Sequence, residues 1–229
     1  MPANTATPGA AADAAPRDPN RLKILFIGNS FTQRHDLPGL IARLAAARGK
    51  RVEHRLVSAG GASLRMHWNA GRAVAILQDT PYDLVVLQEQ STLPGKNASR
   101  MHENVRLFDT AITAAGARTV LYMTWARQHQ PEAQQAIRDA YESIGRELGA
   151  TVVPVGLAWE RILSGPAPLV LHDQDKSHPA LAGSYLAACV FYAVLFGDTP
   201  VGIADDVAGI AESEKRVLQQ AAWDTSTLR

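Results

Sequence analysis

From residue 21 onward, short apolar runs alternate with longer stretches in which apolar residues recur at helical spacing. The runs at 23–27, 52–57, 84–88, 119–123 and 151–155 are the strand candidates, enough for a complete small sheet. Between them, Leu37, Leu40, Ile41 and Leu44 form one apolar stripe that Gly49 closes. Val105, Leu107, Phe108 and Ile112 mark a second helix, and Ala136, Ile137, Tyr141 and Ile144 a third that ends near Gly149. The segment 181–196 is apolar nearly all round, which predicts a buried helix. Val207, Ile210, Ala211, Val217 and Leu218 predict a final amphipathic one. Strands alternating with helices in this way predict a parallel sheet covered on both faces. Residues 1–20 carry almost nothing large and apolar, cannot offset their ordering entropy by burial, and read as a flexible tail ahead of one domain over 21–229.

Composition narrows the function classes. A chain of 229 residues holds one well-buried domain. A formal net charge of +1, with 20% charged residues, creates no large field of one sign, so nucleic acid and anionic membranes are not expected partners. A small neutral or weakly charged molecule is. The single cysteine, Cys189, lies in an apolar stretch and reads as a buried, inert thiol. No apolar run reaches the length of a membrane span and the N-terminal stretch lacks the apolar core of a secretory signal, so the expectation is a soluble, cytoplasmic protein. The oligomeric state is not legible.

The chemistry lies at two distant places. The first strand run breaks at Gly28-Asn29-Ser30, and 145 residues later the chain reads Asp175-Lys176-Ser177-His178-Pro179. A serine hydroxyl needs an imidazole to take its proton, and the imidazole works best when a carboxylate fixes its tautomer and stabilises its cationic form. Asp175 and His178 supply both, and Ser30 supplies the attacking oxygen. In an open parallel sheet, ligands bind beyond the carboxyl ends of the strands. Unusual polar residues follow four of the strand runs there: Gly28-Asn29-Ser30, Ser58 to Ser63 with Gly60-Gly61, Gln88-Glu89-Gln90-Ser91, and Asp175 with His178 after the fifth. Acyl transfer also requires donors for the developing oxyanion; the Ser30 N–H, an N–H of the glycine turn and a glutamine amide are the candidates.

In these residues the chain resembles the SGNH hydrolases, also called GDSL-type lipases and esterases, over nearly all of residues 21–197. The family's Gly-Asp-Ser block is matched by Gly28-Asn29-Ser30, with Asn for Asp, and its Asp-x-x-His block by Asp175-Lys176-Ser177-His178. The resemblance implies that Ser30 attacks, His178 acts as base and then acid, and Asp175 orients it. It places the oxyanion glycine at Gly61, with Gly60 the alternative. The usual Gly-x-Asn-Asp block is absent after the third strand, and the likeness is to a sub-group with glutamine there, which gives the amide role to Gln88 with Gln90 as runner-up.

The expectation is therefore a three-layer α/β/α sandwich of flavodoxin-like architecture with a five-stranded parallel sheet. It would hydrolyse short-chain carboxylic esters, O-acetyl groups on carbohydrates among them, through an acyl-enzyme, without cofactor or metal. A histidine base of ordinary pKa, near 6.5, would give activity that rises with pH. Two alternatives use the same fold: a non-catalytic module binding a phosphate or flavin at Gly28-Asn29-Ser30, and an acyltransferase with the same triad. His172 and Asp173 form a decoy pair beside the triad; His35, His54, His67, His102 and His129 read as surface or rim residues without metal-ligand spacing. Glu89 reads as either an anchor or a solvated carboxylate. Trp68 and Trp125 read equally as pocket walls or core.

Overall fold

The computed structural model describes residues 18, 20–166 and 169–227; the tail expected over 1–20 lies almost wholly outside the described residues. Five strands, β1 (Arg21–Gly28), β2 (Arg51–Ser58), β3 (Leu84–Leu87), β4 (Arg118–Tyr122) and β5 (Thr151–Val153), form one sheet in the order β2-β1-β3-β4-β5. Every neighbouring pair is parallel. The order reverses between β1 and β3, because the chain winds to one side through β2 and to the other through β3 to β5. That reversal opens a crevice at the carboxyl ends of the strands, where the loops after β1 and β3 part.

Among the described residues ten α-helices occur, in chain order α1 (Ser30–Gln33), α2 (Leu37–Ala46), α3 (Leu64–Ala70), α4 (Arg72–Asp79), α5 (Leu93–Lys96), α6 (Ala98–Ala114), α7 (Ala133–Leu148), α8 (Val155–Leu163), α9 (Leu181–Phe196) and α10 (Glu212–Thr227). Strand alternation divides the core in two. Ile24, Phe26, Leu84, Val86 and Val120 face α2, α8, α9 and α10, whereas Leu25, Ile27, Val85, Leu87 and Leu121 face α3, α4, α6 and α7. Helices on both faces make this the three-layer α/β/α sandwich expected. The helix α9 is buried from Gly183 through Ala193, as its unbroken apolar sequence requires. Cys189 lies within it, fully buried, and burial pushes its thiol pKa up.

The first four strands keep their expected places with ends shifted by at most two residues, and two further boundaries differ for a physical reason. The fifth strand stops at Val153 rather than continuing to 155, because Pro154 has no N–H for the ladder and caps α8 instead. The last helix starts at Glu212, not near 207: Val207 and Ile210 are buried from a loop, and Gly209 between them has φ +87°. The helices α3, α4 and α8 have no counterpart in the expected elements.

Candidate active site

The turn after β1 is built from bonds to three other segments. Asn29, 3% exposed, caps α1 by accepting the Phe31 N–H on its Oδ1 at 3.1 Å. Its Nδ2 donates to the carbonyl of Ala62 at 3.1 Å, and its own N–H donates to Gln88 Oε1 at 2.9 Å. Thr32 Oγ1 donates to the same Gln88 oxygen at 3.0 Å. His67 Nε2 donates to the Gly28 carbonyl at 2.7 Å. Gly28 is required by this crowding: a Cβ there would lie 2.6 Å from Thr32 Oγ1 and 2.7 Å from Gln88 Oε1. Ser30 opens α1 on this fixed turn, half-buried just beyond the carboxyl end of β1.

The remote block meets it there. His178 Nε2 lies 2.8 Å from Ser30 Oγ, and His178 Nδ1 bonds Asp175 Oδ2. The other Asp175 oxygen accepts the N–H groups of Ser177 at 3.0 Å and His178 at 2.9 Å. Partial burial works against the Asp175 charge, but the two amides and the imidazole outweigh it and hold the carboxyl well below the usual range. An ionised Asp175 only accepts, which places an imidazole proton on Nδ1; in the neutral ring Nε2 is then the nitrogen free to accept from the serine hydroxyl. Ser30, His178 and Asp175 are thus brought together in a chain that can pass a proton.

The histidine loop is held from outside as well. Trp125 Nε1 donates to the Ser177 carbonyl at 3.0 Å, the Gln128 N–H donates to the Lys176 carbonyl at 2.9 Å, and Arg34, four residues beyond Ser30, pairs with Asp173. Phe31 meets the His178 ring edge-on at 5.4 Å and stacks on Trp125 at 4.8 Å. Trp125 stacks in turn on Trp159 at 3.7 Å. Of the two tryptophans in question, Trp125 is therefore core beneath the site and Trp68 a half-buried partner of Phe108.

The expected oxyanion donors fare unequally. Gln88 is fully buried, its oxygen holds the serine turn, and its amide nitrogen donates to the neighbouring Glu89 carbonyl. This corrects the donor role given to Gln88: a side chain with no accessible surface and a committed amide cannot face a substrate. Gln90 is arranged the other way. Its Oε1 accepts the N–H groups of Thr92 and Leu93 at 2.9 and 3.1 Å, and its amide nitrogen has no partner among the described residues. The turn after β2 closes through the Ala62 N–H to the Ala59 carbonyl at 3.2 Å, with Gly61 at φ +67°, where glycine carries no steric penalty. Gly60 and Gly61 are exposed and make no hydrogen bond among the described residues.

Several supporting residues escaped the sequence pattern. Glu89 is a buried anchor, not a solvated group: it accepts from the N–H of Leu64 at 3.0 Å, the N–H of Gln90 at 2.7 Å and Asn104 Nδ2 at 2.8 Å, tying α3 and α6 to the loop after β3. His67 is 6% exposed and belongs to the serine turn rather than the surface. Its role was hidden because α3 was not recognised, although Ser63 at the helix start is a capping residue. The decoy His172 is committed elsewhere: its Nε2 donates to the Ala126 carbonyl at 3.1 Å, and burial lowers its pKa. Its neighbour Asp173 serves Arg34.

Comparisons bear on the fold and its class. No family model and no curated protein sequence matches the chain. Among solved structures it is similar to a candidate SGNH hydrolase from Slackia heliotrinireducens, 28% identical, with TM-score 0.66, 75% of this chain and 97% of that chain covered. It is also similar to a DUF4886 family protein from Bacteroides uniformis, 19% identical, with TM-score 0.72 and coverages of 90% and 94%. An acetyl-xylooligosaccharide esterase from Geobacillus is 16% identical, with TM-score 0.59 and coverages of 77% and 94%. The fold is the α/β/α sandwich of SGNH hydrolases, a class of ester-cleaving enzymes. Among the described residues no helix is long and apolar enough to cross a membrane.

Proposed function

We propose that the chain is a member of the SGNH hydrolases that cleaves short-chain carboxylic esters by a serine mechanism. One observation carries this reading: the Ser30 hydroxyl 2.8 Å from Nε2 of an imidazole whose other nitrogen rests on an ionised carboxylate. His178 takes the Ser30 proton as the oxygen attacks the carbonyl carbon, then returns it to the leaving alcohol. Water, activated by the same imidazole, releases the acid from the acyl-enzyme. Asp175 stays ionised throughout and stabilises the imidazolium.

In this mechanism the oxyanion is held by the Ser30 N–H, which opens a helix and has no preceding turn to donate to, by the N–H of Gly61, and by the Gln90 amide. Gln88 then serves as a positioning residue for Asn29 and Thr32. No cofactor or metal enters the reaction. The substrate class we put forward is a small acyl group, acetyl above all, on a carbohydrate or other alcohol. In support, Phe31 and Trp125 are 4% and 2% exposed and packed beside His178, so aromatic rings fill that side of the site. Acyl transfer to an alcohol would use the same residues and differ only in the acceptor.

The test is labelling with a fluorophosphonate, mapping of the adduct, and hydrolysis of p-nitrophenyl acetate beside the octanoate and palmitate esters. A single adduct on Ser30, activity abolished in Ser30→Ala, and preference for acetate are expected. An adduct elsewhere with activity surviving that substitution would sink the mechanism; preference for palmitate would overturn the substrate class.

A further inference from the structure

Beside the aromatic stack, and apart from the serine crevice, the structure has a cavity of about 210 Å³. Its apolar wall is Trp159, Leu163 and Pro131; its polar side is Arg127 and Gln128, from the loop after β4, with Glu160. The other polar groups of the lining are already committed. Gln134 accepts the Ala126 N–H at 2.7 Å and its Nε2 lies 3.4 Å from the Thr124 carbonyl. Ser164 Oγ donates to the Glu160 carbonyl, and His172 to that of Ala126.

Arg127 is different. It is half-buried, its Nε is buried with no hydrogen-bond partner, and it forms no ion pair among the described residues. Most buried polar atoms have a partner, and a partly desolvated guanidinium without a counter-charge is poorly compensated. A carboxylate supplies the missing counter-charge through the two terminal nitrogens, which unlike Nε are not buried, its oxygens matching that end of the guanidinium fork. The apolar wall then takes a small hydrocarbon body. Glu160 is exposed and lies against a second groove as well, so it disfavours a dianion more than a monoanion.

We infer that this cavity is a binding site for a small monocarboxylate with an apolar body, held by Arg127 and separate from the site of ester cleavage. The occupant would rest on the loop that steadies the base, since Gln128 holds the Lys176 carbonyl and Trp159 stacks on Trp125. Nothing in the inference requires Ser30 to be a nucleophile.

Calorimetric titration of the Ser30→Ala chain with benzoate, against benzamide as the uncharged analogue, tests it independently of catalysis. Saturable benzoate binding in the millimolar range is expected, weakened about tenfold or more both with benzamide and in Arg127→Gln. Leu163→Trp, which fills the cavity and leaves Arg127 in place, should abolish binding while thermal unfolding stays near that of the parent. Absence of saturation up to about 100 mM benzoate, equal affinity for benzamide, or unchanged binding in a folded Arg127→Gln or Leu163→Trp chain would each overturn the site.

Discussion

Gln88 and Gln90 are two residues apart in the loop after β3 and are bonded in opposite ways, which sequence spacing could not separate. Both are amides beyond an apolar strand; only burial and hydrogen-bond partners show that Gln88 is enclosed and bonded to the serine turn, whereas Gln90 is part-exposed and bonded to the turn that follows it. The substitutions should therefore diverge. Gln90→Ala is expected to lower kcat for p-nitrophenyl acetate roughly 100- to 1000-fold, the effect of losing one oxyanion donor, and to cost about 0.5–2 kcal/mol of stability through the lost cap on Thr92 and Leu93. Gln88→Ala leaves the buried Asn29 N–H and Thr32 hydroxyl unpaired and should cost about 1–3 kcal/mol of stability, read by denaturant unfolding. Equal kcat losses in two equally stable variants would refute this division. Ser30, Asp175 and His178 were legible because their chemistry needs those residue types, and the structure brings them together. His67 and Glu89 were not: a buried polar side chain earns its place through a partner distant in sequence, and nothing local marks that partner.

At the scale of elements, five strands and the helices α2, α6, α7 and α9 were legible from periodicity alone, because each buries a continuous stripe or face. The short α3 and α8 were missed; seven and nine residues give too few turns for a stripe to repeat. Those helices matter to the site, since α3 carries His67 and α8 carries Trp159. The Arg34–Asp173 pair is likewise an element-level device. It joins the segment after α1 to the histidine loop, beside the contact between Ser30 and His178. Both side chains are 38% exposed, so the pair adds little stability, at most about 1 kcal/mol after solvent screening. Its value lies in alignment. Arg34→Ala is expected to reduce kcat roughly 10- to 100-fold while KM stays nearly constant, and Arg34→Lys to restore part of the loss. An unaltered kcat in Arg34→Ala would remove the device from the mechanism.

For the whole molecule, the C-terminal helix is secured by a buried cluster. Lys215 Nζ lies 2.9 Å from Asp205 Oδ1, with side chains 4% and 1% exposed, and Tyr185 donates to the same carboxylate at 2.6 Å. Burial opposes the Asp205 charge, but Tyr185, Lys215 and the Val207 N–H prevail and lower its pKa; burial opposes the Lys215 charge too, but Asp205 and Glu212 prevail and raise its pKa. The lowered carboxyl contributes stability above its unfolded value near 3.9, lost as pH falls through the folded value; the raised amine contributes below about 10.4, lost as pH rises through its own. Stability should therefore hold a plateau across neutral pH. Lys215→Met, which strands the Asp205 charge, should cost about 3–5 kcal/mol in urea unfolding at pH 7; a change under about 1 kcal/mol would show that the cluster is incidental.

The hydroxyl and the imidazole that meet at 2.8 Å come from positions 148 residues apart, on either side of nearly every strand crossing. A nascent or refolding chain can complete the serine turn, with Asn29, Thr32 and Gln88 in place, and still lack its proton acceptor until the last third of the polypeptide docks. Turnover would then be the final property to appear, and a truncated chain ending before residue 170 would be inert by construction, so that ester cleavage doubles as a readout of finished assembly.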